Sequence, residues 1–526
     1  MLIKPCFFLL IALSAYSFGQ NFDLVVTDEV KSKGTLIELH PIDHGEFYAT
    51  RFSRGFQRNA IFLEYYKHFD LKNSKKAPYK VNGSFANFEE LQTIGGTPYS
   101  FLSDQTDRTR TLFALKMDVA LNVLFESEPI IVDPVQRNRY AQESFEFIQS
   151  KNREYLAIFI NISLKGDNYD TYRYVVLDKN LKQIHKGDFQ CVTLSEKTVL
   201  SNAFLSNKGI FYLGTKEYEL DETRKLIKQY SLLSGMYLYR SKNKKTDHYR
   251  IDFTGKVVTE TAIFELTNSQ LALSGMYRNF SRTDDEGIDG AFYAEVDFNK
   301  EKPLKLTFDS FDSSFITEGW TYKEKRSAFR KQTKGKGQPR LDHYKLRDFT
   351  FDSVKKTFTG IAEQYYVEER SSADSRGYIN TTYLYYYNTL IVYQINENGT
   401  FDWTAKIPKV QVSANDYGYL SSIAYLKNNE ELILLYNDNQ DNYNQNGAYS
   451  TEELSAAALS GKKNTITVCT VDLMNGSYER KSLGSISPNN RATLVPKLCE
   501  KDVLEKELTI FLSGRKGDQF GYITFY

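Results

Sequence analysis

The chain has 526 residues, of which 41% are hydrophobic and 25% charged, and its 67 Lys and Arg residues nearly balance 66 Asp and Glu residues. This balance excludes a global electrostatic field that would recruit nucleic acid or anionic lipid. Beyond the N-terminal segment no run approaches the roughly 18 apolar residues of a membrane-spanning helix, so we expect no transmembrane segment.

The N-terminus is typical of a secretory signal peptide. Lys4 precedes a short apolar stretch, which ends in small residues that predict cleavage after Gly19. Cys6 lies before the apolar stretch rather than just after it, so the arrangement of a lipid-anchored protein is missing. We expect residues 1–19 to be removed and residues 20–526 to be exported to the periplasm or the cell exterior.

Alternating runs of Tyr, Phe, Val, Ile and Thr, separated by Asn, Asp and Gly, extend along the rest of the chain and predict strands and tight turns. Ser-Gly-Met-Tyr occurs at 234–237 and again at 274–277, a shift of 40 residues. Around it a looser unit of two strands and a turn recurs at 61–81, 112–130, 172–189, 248–264, 292–311, 390–407 and 466–483. Reversals are expected at 178–180, Thr254-Gly255, Asn398-Gly399 and Asn475-Gly476.

Repeated β-meanders cannot bury both faces alone, and radial stacking around an axis protects their edges. We therefore predict an all-β fold, a single β-propeller of seven or eight blades over residues 20–526. The strand-like segments at 22–26 and 520–526 lack hairpin partners, and their pairing would close the ring. The alternative is a pair of β-sandwich domains, but no Pro/Gly/Ser-rich linker divides the chain.

Two segments depart from the strand pattern. Residues 323–340 are strongly basic and are interpreted as a loop insertion between blades. Residues 452–460 are rich in Ala, Leu and Glu and predict a short helix within a loop.

Cysteine usage does not require a disulfide framework. After cleavage Cys191, Cys469 and Cys499 remain, an odd number that cannot all pair within one chain. A disulfide between Cys469 and Cys499 is compatible with their positions in strand-like segments on either side of a turn. Three buried free thiols are favoured, because a chain of this length buries enough apolar area without covalent links.

The sequence assigns no catalytic, cofactor-binding or metal-binding residue. His40 and His44 are four residues apart, but Pro41 opposes a shared helix face and no metalloprotease Glu accompanies them. Asn442, Asn444, Asn446, Gly447 and Glu453 have the spacing of a calcium loop, yet Asn stands where Asp is usual at the first position. A solvated Asn-rich loop is the favoured interpretation.

Tyrosines are densest in two nearby segments, at 365–366 and 383–387. If one alternating set faces a groove, it offers flat amphipathic platforms for a sugar or a peptide. Alternation also places the other half of these rings in the core, and packing is the favoured interpretation.

Between about 346 and 439 the chain contains Glu363-Gln364-Tyr365-Tyr366, Thr381–Asn388, Ile395–Gly399, Trp403, Lys406–Lys409, Gln411 and Leu435–Asn439. With these residues the stretch resembles a family of exported, uncharacterised propeller-like proteins of Bacteroidota. It covers under a fifth of the chain. The resemblance implies the same fold and carries no activity that could be assigned to particular residues.

We expect an exported, non-catalytic binding or scaffold protein of the cell envelope, whose partner is an unknown envelope protein or glycan. No nucleic acid and no cofactor is expected. The alternative is a glycan-acting hydrolase or lyase with its active site in the propeller channel, because propeller glycosidases combine carboxylates from distant blades.

Overall fold

The computed structural model describes residues 22–525 except 32–33, 55–58, 107, 135–143, 164–165, 221–229, 243–244, 280–286, 321, 334–340, 374–377, 451–453, 458, 460–461, 485–491 and 503. The predicted signal peptide at 1–19 lies outside the described residues. Nearly all regular structure in the described part is β-strand, which confirms the all-β prediction.

Among the described residues, the strands form eight antiparallel sheets of four or five strands, and one small hairpin of β6 (Lys80–Val81) and β7 (Ser84–Phe85). β1 (Phe22–Val26) belongs to the last sheet. Sheet 1 contains β2 (Thr35–Asp43), β3 (Glu46–Ser53), β4 (Ala60–Lys67) and β5 (Asp70–Lys76). Sheet 2 contains β8 (Asn87–Ile94), β9 (Thr97–Gln105), β10 (Thr109–Met117), β11 (Val123–Glu126) and β12 (Ile131–Pro134).

Sheets 3 to 5 continue in chain order. Sheet 3 contains β13 (Glu146–Gln149), β14 (Tyr155–Asn161), β15 (Tyr169–Asp178) and β16 (Gln183–Leu194). Sheet 4 contains β17 (Thr198–Leu205), β18 (Phe211–Leu220), β19 (Tyr230–Lys242) and β20 (Lys245–Ile251). Sheet 5 contains β21 (Lys256–Glu265), β22 (Gln270–Asn279), β23 (Gly290–Asp297) and β24 (Lys305–Ser310).

The helices α1 (Ser313–Thr317) and α2 (Tyr322–Thr333) precede sheet 6. Sheet 6 contains β25 (Tyr344–Asp352), β26 (Thr357–Ala373), β27 (Ile379–Ile395) and β28 (Phe401–Ala414). Sheet 7 contains β29 (Ala424–Lys427), β30 (Glu431–Asn439), β31 (Asn464–Asp472) and β32 (Tyr478–Ser482). Sheet 8 contains β33 (Thr493–Leu494), β34 (Glu500–Lys501), β35 (Glu507–Ser513), β36 (Gln519–Phe525) and β1.

The hydrophobic core consists mainly of clusters between consecutive sheets. Tyr48 and Leu63 of sheet 1, for example, pack with Leu91 and Met117 of sheet 2. Equivalent clusters join every consecutive pair up to sheets 7 and 8. A further cluster joins sheet 8 to sheet 1. Each sheet is thus covered on two faces by its neighbours, an arrangement typical of a β-propeller and different from the face-to-face pairing of a β-sandwich.

Contacts between the first and last sheets bring the two ends of the chain together. β1 is the outer strand of sheet 8 and pairs antiparallel with β36, with Phe22 opposite Phe525 and Val26 opposite Gly521. In addition, the buried Arg51 of β3 lies 3.1 Å from Glu64 in the same sheet and 2.7 Å from Asp518, next to β36. Strand pairing therefore brings the two ends of the chain together within sheet 8, and the buried ionic contact links sheet 1 to the residue before β36.

The recurring sequence unit matches the sheets at six of its seven positions. At these six it spans the third strand and its return strand, as at 390–407, where Gly399 takes the positive φ of +82° that the turn requires. The unit at 248–264 is different, because it covers β20 and β21, which lie in two sheets. The Ser-Gly-Met-Tyr recurrence also joins non-equivalent strands, the third strand of sheet 4 and the second strand of sheet 5.

The conformations predicted for the two irregular segments were wrong in the parts that the structure describes. The basic segment at 323–340 lies between sheets 5 and 6 as expected, but its residues 323–333 belong to α2 and not to a loop, because good helix formers continue until Gly335. Residues 454–457 of the expected helix are not helical. Their backbone is hydrogen-bonded elsewhere, since Ala457 N donates to Val410 O and Ser455 N donates to Asn442 Oδ1. Residues 334–340 and 451–453 lie outside the described residues.

The three cysteines among the described residues are free thiols. Cys191 and Cys469 are buried, Cys499 is partly buried, and the disulfide that would join Cys469 to Cys499 does not form. Burial raises the pKa of the Cys469 thiol to about 12, as expected for a cysteine that packs as a small apolar side chain.

In the described part of the chain, no helix has the length and apolar character needed to cross a membrane.

Candidate functional site: the central cavity and its tyrosine rim

Two adjoining cavities lie where the first strands of several sheets face one another. Their volumes are about 260 and 520 Å³, and both are lined by Gln149, Arg153, Lys497 and Glu500. Other wall residues come from β2, β8, β25, β29 and β34, so sheets 1, 2, 3, 6, 7 and 8 all contribute. We refer to the two together as the central cavity.

Arg153 crosses one side of the central cavity and connects four sheets. Its guanidinium donates to the carbonyl oxygen of Pro41 in sheet 1 and, at 2.7 Å, to that of Lys501 in sheet 8. Its own carbonyl oxygen accepts a hydrogen bond from Gly95 N of sheet 2. Burial lowers the pKa of Arg153, but a guanidinium remains charged at any ordinary pH. The Arg153 side chain therefore restricts this part of the cavity, and its hydrogen bonds stabilise the cavity walls.

Two pairs of opposite charges line the same region. Lys501 Nζ lies 3.5 Å from Asp348 and 3.8 Å from the centre of the Tyr425 ring. Lys151 Nζ lies 3.0 Å from Glu505. These four charged groups are already compensated within the protein.

A buried polar network lies under the cavity rim, between sheets 6 and 7. The Glu363 carboxylate is fully buried and accepts hydrogen bonds from Lys409 Nζ at 2.8 Å, Arg347 Nε at 2.8 Å and Ser422 Oγ at 2.6 Å. Lys409 Nζ also donates to Gln411 Oε1 at 2.9 Å. Burial alone would raise the pKa of Glu363, but the two cations outweigh it and hold that pKa below its usual value.

Above this network, β26 and β27 continue beyond the first residue of β25, and we call their residues 365–373 and 378–387 the tyrosine hairpin. Tyr344, the first residue of β25, is paired with Gln364, and Tyr365 N donates to His343 O at 2.8 Å. On the other side, residues 384–387 of β27 remain paired with β28. The rings of Tyr366 and Tyr386 stack at 4.4 Å, and those of Tyr365 and Tyr387 lie 4.7 Å apart. The hairpin is thus internally ordered by cross-strand aromatic pairs.

Alternation accounts for only part of the tyrosine burial. Tyr385 and Tyr387 are buried around the half-buried Tyr386, but Tyr383 lies on the same face as Tyr385 and is nevertheless 43% exposed. Tyr417, in the loop after β28, is 79% exposed, and its ring lies 5.7 Å from that of Tyr385. Packing therefore accounts for part of the cluster, and Tyr383 and Tyr417 present ring surface to solvent.

Lys497 links the tyrosine hairpin to the central cavity. Its Nζ donates to Tyr387 Oη at 2.7 Å and to the carbonyl oxygen of Tyr417 at 2.8 Å. Burial between the walls, together with the nearby Arg347 charge, lowers the pKa of Lys497 to about 8. The exposed tyrosines and the cavity are consequently neighbouring parts of one surface.

The predicted metal candidates do not form a site. His40 lies in the cavity wall near Glu38, whereas His44 contacts Glu507 of sheet 8. Asn442 points inward to Asp438, and Asn444 accepts hydrogen bonds from the backbone of its own turn. Glu453 lies outside the described residues. In the part of the chain that the structure describes, no three His, Cys, Asp or Glu side chains are placed to hold a metal ion.

Sequence reasoning did not single out Arg153, Lys497 or Glu500. Each is an isolated charged residue in a turn or short strand, and only the approach of distant sheets brings the three together. Glu363, Lys409 and Gln411 belong to the stretch that carries the family resemblance, but nothing in the local sequence indicates that they contact one another.

Glu90 of β8 lies near other carboxylates of this region, and the effect of its titration on stability can be tested. Burial, followed by the charges of Glu38, Glu146 and Glu89, raises the pKa of Glu90 from 4.5 to about 7. The folded protein therefore binds this proton more tightly than the unfolded chain. The resulting cost is absent below about pH 4.5, grows as the pH rises and is complete above about pH 7.

We expect Glu90→Gln to stabilise the protein at pH 8 by about 2 kcal/mol, after a discount for the partial exposure of the side chain, and to change little at pH 4.5. Denaturant unfolding at the two pH values measures the difference. Glu→Gln at the exposed Glu430 controls for the loss of a charge as such. Equal effects of Glu90→Gln at both pH values would contradict this account of Glu90.

The sequence matches no protein-family model and no curated protein. Similar solved structures include the WD40 domain of SCAP from fission yeast, with a TM-score of 0.40 and 9% identity, covering 96% of this chain and 95% of that one. The β-propeller domain of the Trilobed protease from Pyrococcus furiosus has a TM-score of 0.35 and 6% identity, with coverage of 87% and 98%.

The polysaccharide lyase Uly1 is a further similar structure. Its TM-score is 0.34 and its identity 10%, and the similarity covers 85% of this chain and 93% of that one. Scores and identities this low carry no information about activity, so function follows only from the residues of this chain.

Proposed function

We propose that this chain is an exported, non-catalytic binding or scaffold protein of the cell envelope, built as one eight-bladed β-propeller. The ring would be closed by β1 on β36 and by the contacts between sheets 8 and 1. The eight successive sheets, each packed on both neighbours, support this architecture. The partner would be an envelope protein or a glycan.

The tyrosine hairpin is the observation that carries the binding role. It extends beyond the start of β25 and bears exposed aromatic surface at Tyr383, and Tyr417 of the neighbouring loop is also exposed. Tyrosine combines a large apolar ring with a hydroxyl group and has only two side-chain torsions to immobilise, which favours its use in recognition. The aromatic pairs and the Glu363 network below hold this surface in place before a partner arrives.

A non-catalytic role is supported by the state of the charged groups near the rim. Glu363 is fully buried and held by three donors, and Asp348 and Glu505 each face a lysine. Carboxylates of this kind are compensated and poorly placed to exchange protons with a substrate.

Affinity capture from envelope fractions, paired with a glycan array, tests the proposal. The native mature protein should retain a saturable partner, and the double variant Tyr383→Ser/Tyr417→Ser should reduce that binding at least tenfold, since two desolvated aromatic contacts are typically worth this much. Val354→Ser, at an exposed apolar residue elsewhere in sheet 6, is the matched control. Partner retention that is equal in the native protein and the tyrosine variant would overturn the assignment of the hairpin.

One arrangement favours a second candidate function, a glycan lyase. Lys497 Nζ and Tyr387 Oη are 2.7 Å apart at the cavity rim, and the pKa of Lys497 is about 8, so an amine base and a phenolic acid lie side by side. In such a reaction Lys497 would remove a proton next to a uronate carboxylate, and Tyr387 would protonate the departing glycosidic oxygen. The low exposure of Tyr387, only 4%, argues against a lyase function. Loss of turnover in Lys497→Met on uronic-acid polysaccharides would be required to support it.

A further inference from the structure

The central cavity contains charged groups that the protein does not compensate. Lys501 and Lys151 each face a carboxylate, and the Arg153 guanidinium is used by backbone carbonyl oxygens. For Lys497 and Glu500 the situation differs. Among the described residues, neither has an ion-pair partner within 4 Å, although both line the two parts of the cavity and the Arg153 charge is near enough to oppose the rise in the pKa of Glu500.

The chemistry around these two residues is complementary. Lys497 Nζ contacts only neutral oxygens, those of Tyr387 and Tyr417. Near Glu500, on the wall formed by β2, Glu38 and His40 also face the smaller part of the cavity. Glu38 Oε2 and His40 Nε2 are buried, lie 3.7 Å apart and have no hydrogen-bond partner in the described part of the chain. One wall thus offers oxygen acceptors for a cation, and Lys497 offers a donor for an anion.

Lys497 and Glu500 are both exposed, so a ligand in the cavity can reach their charges. Desolvation raises the pKa of Glu500, against the charge of Arg153, and lowers that of Lys497 to about 8, so a ligand group of opposite charge would favour the charged form of each. Both residues belong to one short segment, in which Lys497 lies in a 3-10 helix and Glu500 begins β34. This places the cationic and the anionic group at a fixed separation.

We propose that the central cavity binds a small zwitterion, a free α-amino acid or a short peptide, with its carboxylate at Lys497 and its ammonium group at Glu500 and Glu38. The larger part of the cavity, about 520 Å³, is in the range of small-molecule sites. A purely anionic ligand would leave Glu500 and Glu38 unpaired and is disfavoured by their charge. The site adjoins the exposed tyrosine surface through Lys497 and needs no catalytic step.

Isothermal titration of the full mature protein tests this site. The probes are L-alanine, L-glutamate, L-alanyl-L-alanine and L-lysine, each compared with its N-acetylated form and with its C-terminal amide. At least one free zwitterion should bind with a saturable signal, and acetylation or amidation should each weaken binding at least tenfold. Binding that is insensitive to both caps, or no binding of any zwitterion to the folded protein, would overturn the proposal.

Variants assign the two ends of the ligand. Lys497→Met should weaken binding of the free zwitterion at least tenfold and change binding of the C-terminal amide little, because the amide already lacks the carboxylate. Glu500→Gln should also weaken binding of the free zwitterion at least tenfold, and it should change binding of the N-acetylated form little, because that form already lacks the ammonium group. Lys72→Met, on the outer strand of sheet 1, is the control for loss of a lysine.

Circular dichroism and thermal unfolding show whether each variant folds. If a variant does not fold, the comparison of capped and free ligands on the native protein still decides the question. The titration with zwitterions and the partner capture can fail independently of each other, because the capture experiment depends on the tyrosine surface and uses macromolecular ligands. Equal weakening of the free and the amidated ligand by Lys497→Met would contradict the assigned orientation.

Discussion

Deletion of residues 20–26, which removes β1 from the mature chain, should destabilise the protein by about 4 kcal/mol, because Phe22 is buried and Leu24 and Val26 pack against the cluster between sheets 7 and 8. The deletion also exposes the edge of β36, which pairs with β1 over five residues. In the proposed ring this loss opens the last sheet, so we expect a thermal unfolding temperature several degrees lower and a greater tendency to aggregate.

A synthetic peptide with the sequence of residues 20–28 provides the control for this deletion. Added in excess, it should restore much of the lost thermal stability by occupying the edge of β36, whereas a scrambled peptide of the same composition should not. An unchanged unfolding temperature after deletion would mean that the pairing of β1 with β36 does not contribute to closing the fold.

Lys409→Met should cost about 3–5 kcal/mol of folding free energy, because it leaves the fully buried Glu363 carboxylate without its 2.8 Å ammonium partner. Arg347 and Ser422 remain as donors, so we expect a value near the lower end of this range. Chemical denaturation at pH 7 measures the effect. Since Glu363 anchors the region below the tyrosine hairpin, binding of a macromolecular partner should weaken as well.

The double variant Glu363→Leu/Lys409→Met distinguishes a broken ion pair from a general packing defect. Removing the Glu363 and Lys409 charges together should recover part of the stability lost in Lys409→Met, because only the partly exposed Arg347 is then left without its carboxylate. The pH dependence gives a second readout. The pKa of Glu363 is lowered on folding, so its stabilising contribution is present above about pH 4.5 and is lost as the pH falls through the lower folded value. Lys409→Met should reduce this acid-side loss of stability.

The sequence was sufficient for the fold class and for many turns because both depend on local patterns. Alternation of apolar and polar residues determines which side of a strand is buried, and Asn398-Gly399 supplies the positive φ of its turn. Sheet membership depends on distant partners. The strands at 248–264 resemble the other units, yet β20 completes sheet 4 and β21 begins sheet 5.

The candidate site was less predictable for the same reason. Glu363 and Lys409 lie on strands separated by β27, and their contact depends on a long lysine side chain crossing the sheet surface. Lys497, Glu500 and His40 come from opposite ends of the chain and meet only because sheets 8 and 1 pack together. Within the tyrosine cluster, alternation accounts for the buried Tyr385 and Tyr387 around the half-buried Tyr386, but not for the exposure of Tyr383, which lies on the same face.

The fate of a bound glycan tests the central claim of non-catalytic binding most directly. The mature protein is incubated with a panel of neutral and uronic-acid polysaccharides, and each is analysed for binding, for chain length by mass spectrometry and for the ultraviolet absorbance of unsaturated uronic acids. Our account predicts that any glycan that binds saturably is recovered at its original length with no new absorbance. Shortened chains or new unsaturated ends, produced by the native protein and not by Lys497→Met, would contradict it.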